Sequence, residues 1–418
     1  MSINVATTSG YPNNTGGVVR TTDDAVDGIF VIADGEGTKW KRIVEGGVYR
    51  AQWVCDTDGS NQLSTVQSII DHASVQEFVL DFPTGGGMTL TGTLTVPAGK
   101  KISRKTGGGY ITGTCTIAGG IFSGPINEKF FDTTVTLSSP KVDLIFFPVA
   151  WYGALGNTVS SDDIIAIQKG VDTVIQNGTL PRDLYFIPGV RYRITSPILC
   201  QWFDSDTLSY RQANINLVGH YGGDAIKFIG VTRSASIDCA TTDTFAICFH
   251  HCKSGGVKGM TIFGQYVAPS LFMTLLDFFN TPFDSYIDPN TRDSRYSPYA
   301  GIVVDPWRCG SLPDDGGYPG MSIYYTQASG GSTSGSSGLT FKDLYISNFT
   351  VCGVHSPNGS TQNDECMTWR DCQFAMCKVG LSSGQDQEKT NIWDNIICWG
   401  HTHTVFTNSH YGFHNGCN

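Results

Sequence analysis

The fold class predicted by this sequence is all-β: a solenoid in which short parallel strands stack turn upon turn. Three observations predict it. First, glycine supplies 50 of the 418 residues while charged residues make up only 15%, a balance that suits many short strands joined by tight turns. Second, one phrase recurs late in the chain: Phe341-Lys342-Asp343-Leu344-Tyr345-Ile346, Trp369-Arg370-Asp371-Cys372-Gln373-Phe374 and Ile392-Trp393-Asp394-Asn395-Ile396-Ile397, starting at 341, 369 and 392. Self-similarity at such a period marks units that bury their apolar face only against the next unit. Third, a helix followed by two strands with Pro-Gly punctuation stands ahead of the repeats, as a solenoid's start requires.

Taken in order, residues 1–50 form a small N-terminal element. Gly28 to Gly35 and Thr38 to Val44 are two short apolar runs around a glycine turn, the punctuation of a hairpin. So small a unit lacks a core of its own and has to dock on something. Residues 51–140 form a degenerate first β module. There Thr65-Val66-Gln67-Ser68-Ile69-Ile70-Asp71 is a short helix, Phe78 to Phe82 a strand stopped by Pro83, and Gly108 to Gly124 a run of alternating strands closed by glycine. Ser138-Ser139-Pro140 marks the seam.

Residues 141–418 are the main solenoid. Its opening stretch runs from Trp151-Tyr152-Gly153-Ala154-Leu155-Gly156-Asn157 through Asp162-Asp163 to Ile164-Ile165-Ala166-Ile167-Gln168. Ser160 and Ser161 are hydroxyl caps for this helix, and the two aspartates sit at its positive end. Ile164, Ile167, Val171 and Val174 form an apolar stripe at helical spacing. The strand Asp183 to Ile187 ends at Pro188-Gly189, and Tyr192 to Ile198 is the next. Val257-Lys258-Gly259-Met260-Thr261-Ile262 is an earlier copy of the late phrase. The interruption from Tyr266 to Gly338, with its Pro, Asp, Gly and Ser content, reads as an excursion from the solenoid wall.

The formal net charge of -10 excludes a nucleic-acid binder that works by neutralising phosphates. The 13 cysteines have no CxxC pair and no zinc spacing, so they read as small buried hydrophobes of a protein made in a reducing cytosol. The start of the chain lacks a signal peptide's basic and apolar regions. No run approaches 18 apolar residues, so no membrane span is expected. No cofactor motif and no metal site is expected either.

The candidates for chemistry are carboxylates on equivalent places of the three late phrases, Asp343, Asp371 and Asp394. Stacked on successive turns about 4.8 Å apart, they would match the spacings that glycosidases use. The competing reading makes them corner residues, since Gly259 holds the same place and Asp tolerates a left-handed turn. Trp369, Trp393, Trp399 and Tyr345 are aromatic residues that could form a carbohydrate-stacking surface; Trp393 and Trp399 are the better outward candidates, whereas Trp369 shares the inward position of Phe341. His401 and His403 share a strand face but lack a third ligand.

The pattern Trp-x-Gly-Ala-x-Gly, acidic pair, Ala-Ile-Gln, strand-Pro-Gly-x-x-Tyr-x-Ile resembles the opening of the pectate-lyase-like superfamily of right-handed parallel β-helices, in the branch found in bacteriophage tailspikes and tail fibres. Here Gly156-Asn157 replaces the usual Gly-Asp and Ser161 the usual threonine before the acids. The resemblance covers about 148–265 well, 338–409 as generic rungs, 51–137 weakly and 1–50 not at all. It implies a right-handed β-helix with a short N-terminal capping helix and a homotrimer. It further implies docking of the N-terminal region on phage tail or baseplate proteins, placement on the virion tail after synthesis in the host cytoplasm, and recognition of a bacterial surface glycan. Depolymerisation by lyase or glycoside hydrolase chemistry is a further expectation, since the superfamily holds lyases, hydrolases and inactive members. The alternatives are a non-enzymatic virion fibre or adhesin, and a bacterial polysaccharide lyase or hydrolase. Nothing at 414–418 resembles a cap, so the solenoid is expected to continue beyond 418.

Overall fold

A computed structural model of the chain describes residues 3–4, 17–21, 29–33, 39–42, 44–82, 85–156, 162–204, 206, 209–220, 234–240, 245–265, 300–305, 335–349, 351–355, 366–377, 379–383, 391–399 and 403–407. It divides into two compact units. The first comprises Met1–Phe146, Ala150–Gly153 and Asn177–Pro181, and the second Phe147–Val149, Ala154–Gln176 and Arg182–Asn418.

In the first unit the expected hairpin is present. Val31–Ala33 pairs antiparallel with Lys39–Arg42, which pairs in turn with Gly17–Thr21. The module that follows is itself a short parallel solenoid. Its three walls are set by registers in which Met88 faces Ile111, Leu94 faces Ile117 and then Leu137, and Tyr49, Phe78, Ile102 and Phe122 face one another in turn. All of these residues are buried. A helix, Leu63–Asp71 (α1), follows the Tyr49 strand, precedes the others and buries Val66, Ile69 and Ile70. An Asx-type cap starts it, with the Leu63 N–H donating to Asn61 Oδ1 at 3.1 Å.

The second unit is a parallel β-helix with three walls. The first wall runs through Asp183–Tyr185, Ala213–Val218 and the leading halves of Cys252–Phe263, Leu339–Ser347, Thr368–Ala375 and Ile392–Trp399. The second holds Arg191–Ile194, Ala235–Cys239 and the trailing halves of the same long strands. The third is Ile198–Cys200, Ile247–Phe249, Ala300–Val304, Val351–His355, Val379–Ser383 and His403–Thr407. Period-2 alternation sends every other residue inward. Leu184, Leu217, Val257, Phe341, Trp369 and Trp393 therefore form one continuous column. Within it the rings of Phe341 and Trp369 stack at 4.2 Å. Opposite Trp369 the third wall carries Gly353, where an added Cβ would lie 2.8 Å from Trp369 Cη2. Cys200, Cys239, Cys252 and Cys372 fill the interior as small apolar groups.

The helix Ile164–Gln176 (α2) stands before these rungs and buries the predicted stripe, Ile164, Ile167, Val171 and Val174. Its acids are structural. Asp163 accepts from the N–H groups of Gly156 at 3.3 Å and Arg193 at 3.2 Å, tying the glycine turn to the second wall. Asp162 accepts from the Ile164 N–H at 3.2 Å and from Thr195. The caps expected at Ser160 and Ser161 lie outside the described residues.

Candidate functional site

The walls meet at a corner where the backbone turns left-handed. Gly259, Asp343, Asp371 and Asn395 occupy it at φ values of 61°, 55°, 54° and 52°. These residue types adopt that conformation at least cost. The register corrects the expected carboxylate ladder. Trp369 faces Trp393 and Arg370 faces Asp394, so the last phrase begins one residue later than its spacing suggests. Ile392, 41% exposed, is not the inward residue, whereas Trp393 is only 1% exposed. Asp343 and Asp371 thus share the corner with Asn395. Asp394 belongs to the neighbouring outward column, where it pairs with Arg370 Nε at 2.9 Å.

The same shift corrects Trp393. It continues the column of Phe341 and Trp369 in the core and is no carbohydrate platform. Trp399 ends its strand, and its side chain lies outside the described residues, as do His401 and the side chain of His403. Burial raises the Asp343 carboxyl above its ordinary value, and the charge of Asp371 adds to this, against the opposing Lys342. Lys342 Nζ lies 3.8 Å from Asp343 Oδ2.

The outer face of the second wall presents a composite surface. Register aligns Arg191, Ser236, Thr261, Tyr345, Gln373 and Ile397 in one outward column, with Asp238 and Phe263 in the next. Arg191 Nη2 pairs with Asp238 Oδ2 at 2.8 Å, and its guanidinium also lies over the Phe263 ring, 5.8 Å from the centroid. Phe263 meets Tyr345 edge to face at 6.0 Å. Thr261 Oγ1 and Ser234 Oγ share a 2.8 Å hydrogen bond. Burial raises the Tyr345 phenol, so it stays a neutral donor and acceptor. An aromatic pair bordered by a guanidinium, a carboxylate and hydroxyls can cover an apolar ring face while bonding its polar edge. Of this group the sequence marks only Tyr345 as a stacking candidate; Arg191, Asp238 and Phe263 escape it, because the four belong to four strands that only the register brings together.

A second cluster sits in the core. Asp305 Oδ1 lies 3.1 Å from His250 Nδ1 and accepts from the His251 N–H at 3.0 Å and from Ser336 Oγ at 2.9 Å. All four residues are buried. The Asp305–Ser336 bond joins residues 31 positions apart in the chain. The cluster is sealed from solvent and reads as a clasp. Among the described residues, no group of three or more His, Cys, Asp or Glu side chains is placed to hold a metal ion. No helix of the described residues is long and apolar enough to cross a membrane.

Comparison with known proteins adds a likeness among solved structures. No family model matches the chain, and no curated protein does. The tailspike protein of Acinetobacter baumannii phage AM24 aligns with 98% of this chain at 11% identity and a TM-score of 0.30. The full-length tailspike protein 2 of Escherichia coli O157:H7 bacteriophage CAB120 aligns with 95% at 9% identity and a TM-score of 0.20. The chain spans 62% and 44% of the lengths of those two proteins. At such scores neither likeness carries an inference about activity. The fold stands on the strand registers.

Proposed function

We propose that this chain is a phage tailspike or tail-fibre protein whose β-helix binds a bacterial surface polysaccharide along the outer face of its second wall. The observation that carries the reading is the Arg191–Asp238–Phe263–Tyr345 surface, an aromatic platform with a charged and hydroxylated border on a rigid wall. The sequence pattern of the opening segment, which resembles tailspike β-helices, supplies the biological setting. In that setting the chain is a homotrimer, and residues 1–50 dock on tail or baseplate proteins. Sugar rings offer an apolar face and a polar rim, the two features this surface complements. Binding of a panel of purified capsular and O-antigen polysaccharides, read by calorimetry, tests the reading. One glycan is expected to bind, with affinity falling at least about tenfold in Phe263→Ala and Tyr345→Ala. Binding that both variants leave unchanged would overturn the placement of the site, and failure of every host-derived glycan to bind would overturn the function.

Cleavage is the second reading, and what favours it is the pair of carboxyls that Asp343 and Asp371 place on successive turns of one corner, two neighbouring carboxyl groups being what glycosidases use. Asp343→Asn separates the two. Loss of reducing-end release with glycan binding retained assigns catalysis to this pair, and the absence of any release by the unmodified protein leaves a binding protein only.

A further inference from the structure

Each of the two solenoids begins with the same hydrogen-bonded device. In α1, Gln67 addresses both backbone groups of one residue: Oε1 accepts from the Thr95 N–H at 2.9 Å and Nε2 donates to the Thr95 carbonyl at 2.8 Å. In α2, Gln168 treats Leu199 the same way, at 2.9 and 3.0 Å. Each Nε2 also donates, at 2.9 Å, to the aspartate four residues on, Asp71 in one helix and Asp172 in the other. An ionised carboxylate only accepts. The aspartate therefore holds the amide nitrogen on its side and leaves the oxygen to face the backbone N–H.

The two targets occupy equivalent places. Leu199 lies on Ile198–Cys200, the terminal strand of the third wall, paired on one side only with Ile247–Phe249. Thr95 lies where Gly92–Arg104 pairs with Cys115–Ser123, while Glu77–Leu80 joins that strand only further on, at Lys101–Arg104. Both are first-rung strands whose outer edge, among the described residues, has no neighbouring strand. An open edge of this kind is a template for another chain.

We propose that Gln67 and Gln168 are edge clamps: each helix lends one side-chain amide as a surrogate strand at the start of its own solenoid, and so closes that edge to strand addition by a second copy of this chain. The recurrence of the whole constellation is what carries the inference. Glutamine, aspartate at i+4 and first-rung backbone appear twice, on two helices of different sequence. A generic helical lid would need only the apolar stripe.

The test uses the full chain with Gln168→Leu, which removes both bonds, and Gln168→Glu, which keeps the shape but sets a charge against the Leu199 carbonyl and Asp172. Residue-resolved hydrogen exchange is read at the Leu199 and Thr95 amides, and light scattering follows association with concentration. The expected result is at least about tenfold faster exchange at Leu199 with Thr95 unchanged, together with concentration-dependent association beyond that of the unmodified protein. Gln67→Leu is expected to show the converse at Thr95. If Gln168→Leu does not fold, the glutamate variant carries the test. Unchanged Leu199 exchange in a folded variant, or faster exchange without added association, overturns the proposal.

Discussion

Asn395 Nδ2 donates a 2.8 Å hydrogen bond to Asp371 Oδ1 on the preceding rung, and both residues sit at positive φ on the same corner. A side-chain bond thus links these two rungs where the backbone turns. Asp371 has a structural role there before any chemical one. Replacing it with alanine keeps the strained φ and removes the acceptor, so Asp371→Ala is expected to cost about 2 kcal/mol. Asp371→Gly, which relieves the strain, is expected to cost less. Urea midpoints of the two variants provide the check.

Gly353 is the small partner of Trp369. A Cβ there would lie 2.7 Å from Leu381 Cδ1 and 2.8 Å from Trp369 Cη2. Gly353→Ala is expected to destabilise the second unit by about 1–3 kcal/mol through overpacking. A shifted Trp fluorescence transition in denaturant would show it.

The clasp at Asp305 is a fully buried polar site. Its carboxylate accepts from the His251 N–H and from Ser336 and lies against the His250 ring, and removing it takes away an acceptor that all three buried residues share. Asp305→Ala is expected to cost at least about 3 kcal/mol, with Asp305→Asn milder. Chemical denaturation of both variants measures the difference, and equal stability of wild type and alanine variant would refute the clasp.

Asp172 gives a pH signature. Burial raises its carboxyl above the ordinary value of 3.8, against a bond from Gln168 and the charge of Lys169. The folded state therefore takes up this proton more readily than the unfolded chain. Its contribution to stability grows as pH falls through the window just above 3.8 and is lost as pH rises past it. Asp172→Asn is expected to flatten that part of the stability curve between about pH 7 and about pH 4, measured as urea midpoints against wild type.

The parallel ladder is legible in the sequence because the inward residues Phe341 and Trp369 are large, aromatic and repeated in equivalent settings. The helix is legible from its stripe and its acids. The register of the last rung is not, because Ile392 and Trp393 are adjacent apolar residues, and only the pairing of Trp393 with Trp369 decides which one turns inward. That one-residue ambiguity moves Asp394 off the corner and Trp393 into the core. The outer-wall surface is illegible for a different reason. Arg191, Asp238, Phe263 and Tyr345 belong to four strands, and nothing local marks them as neighbours. The glutamine clamps fall between these cases: Gln67 and Gln168 stand in matching helices, but their backbone targets lie about thirty residues away, set by strand register.

The most direct test of the account is a structure of the full chain bound to an oligosaccharide of the glycan it recognises. Sugar rings are expected to lie on Phe263 and Tyr345, with Arg191 or Asp238 bonded to their hydroxyls. Sugar bound on any other face, with this wall left bare, would contradict it.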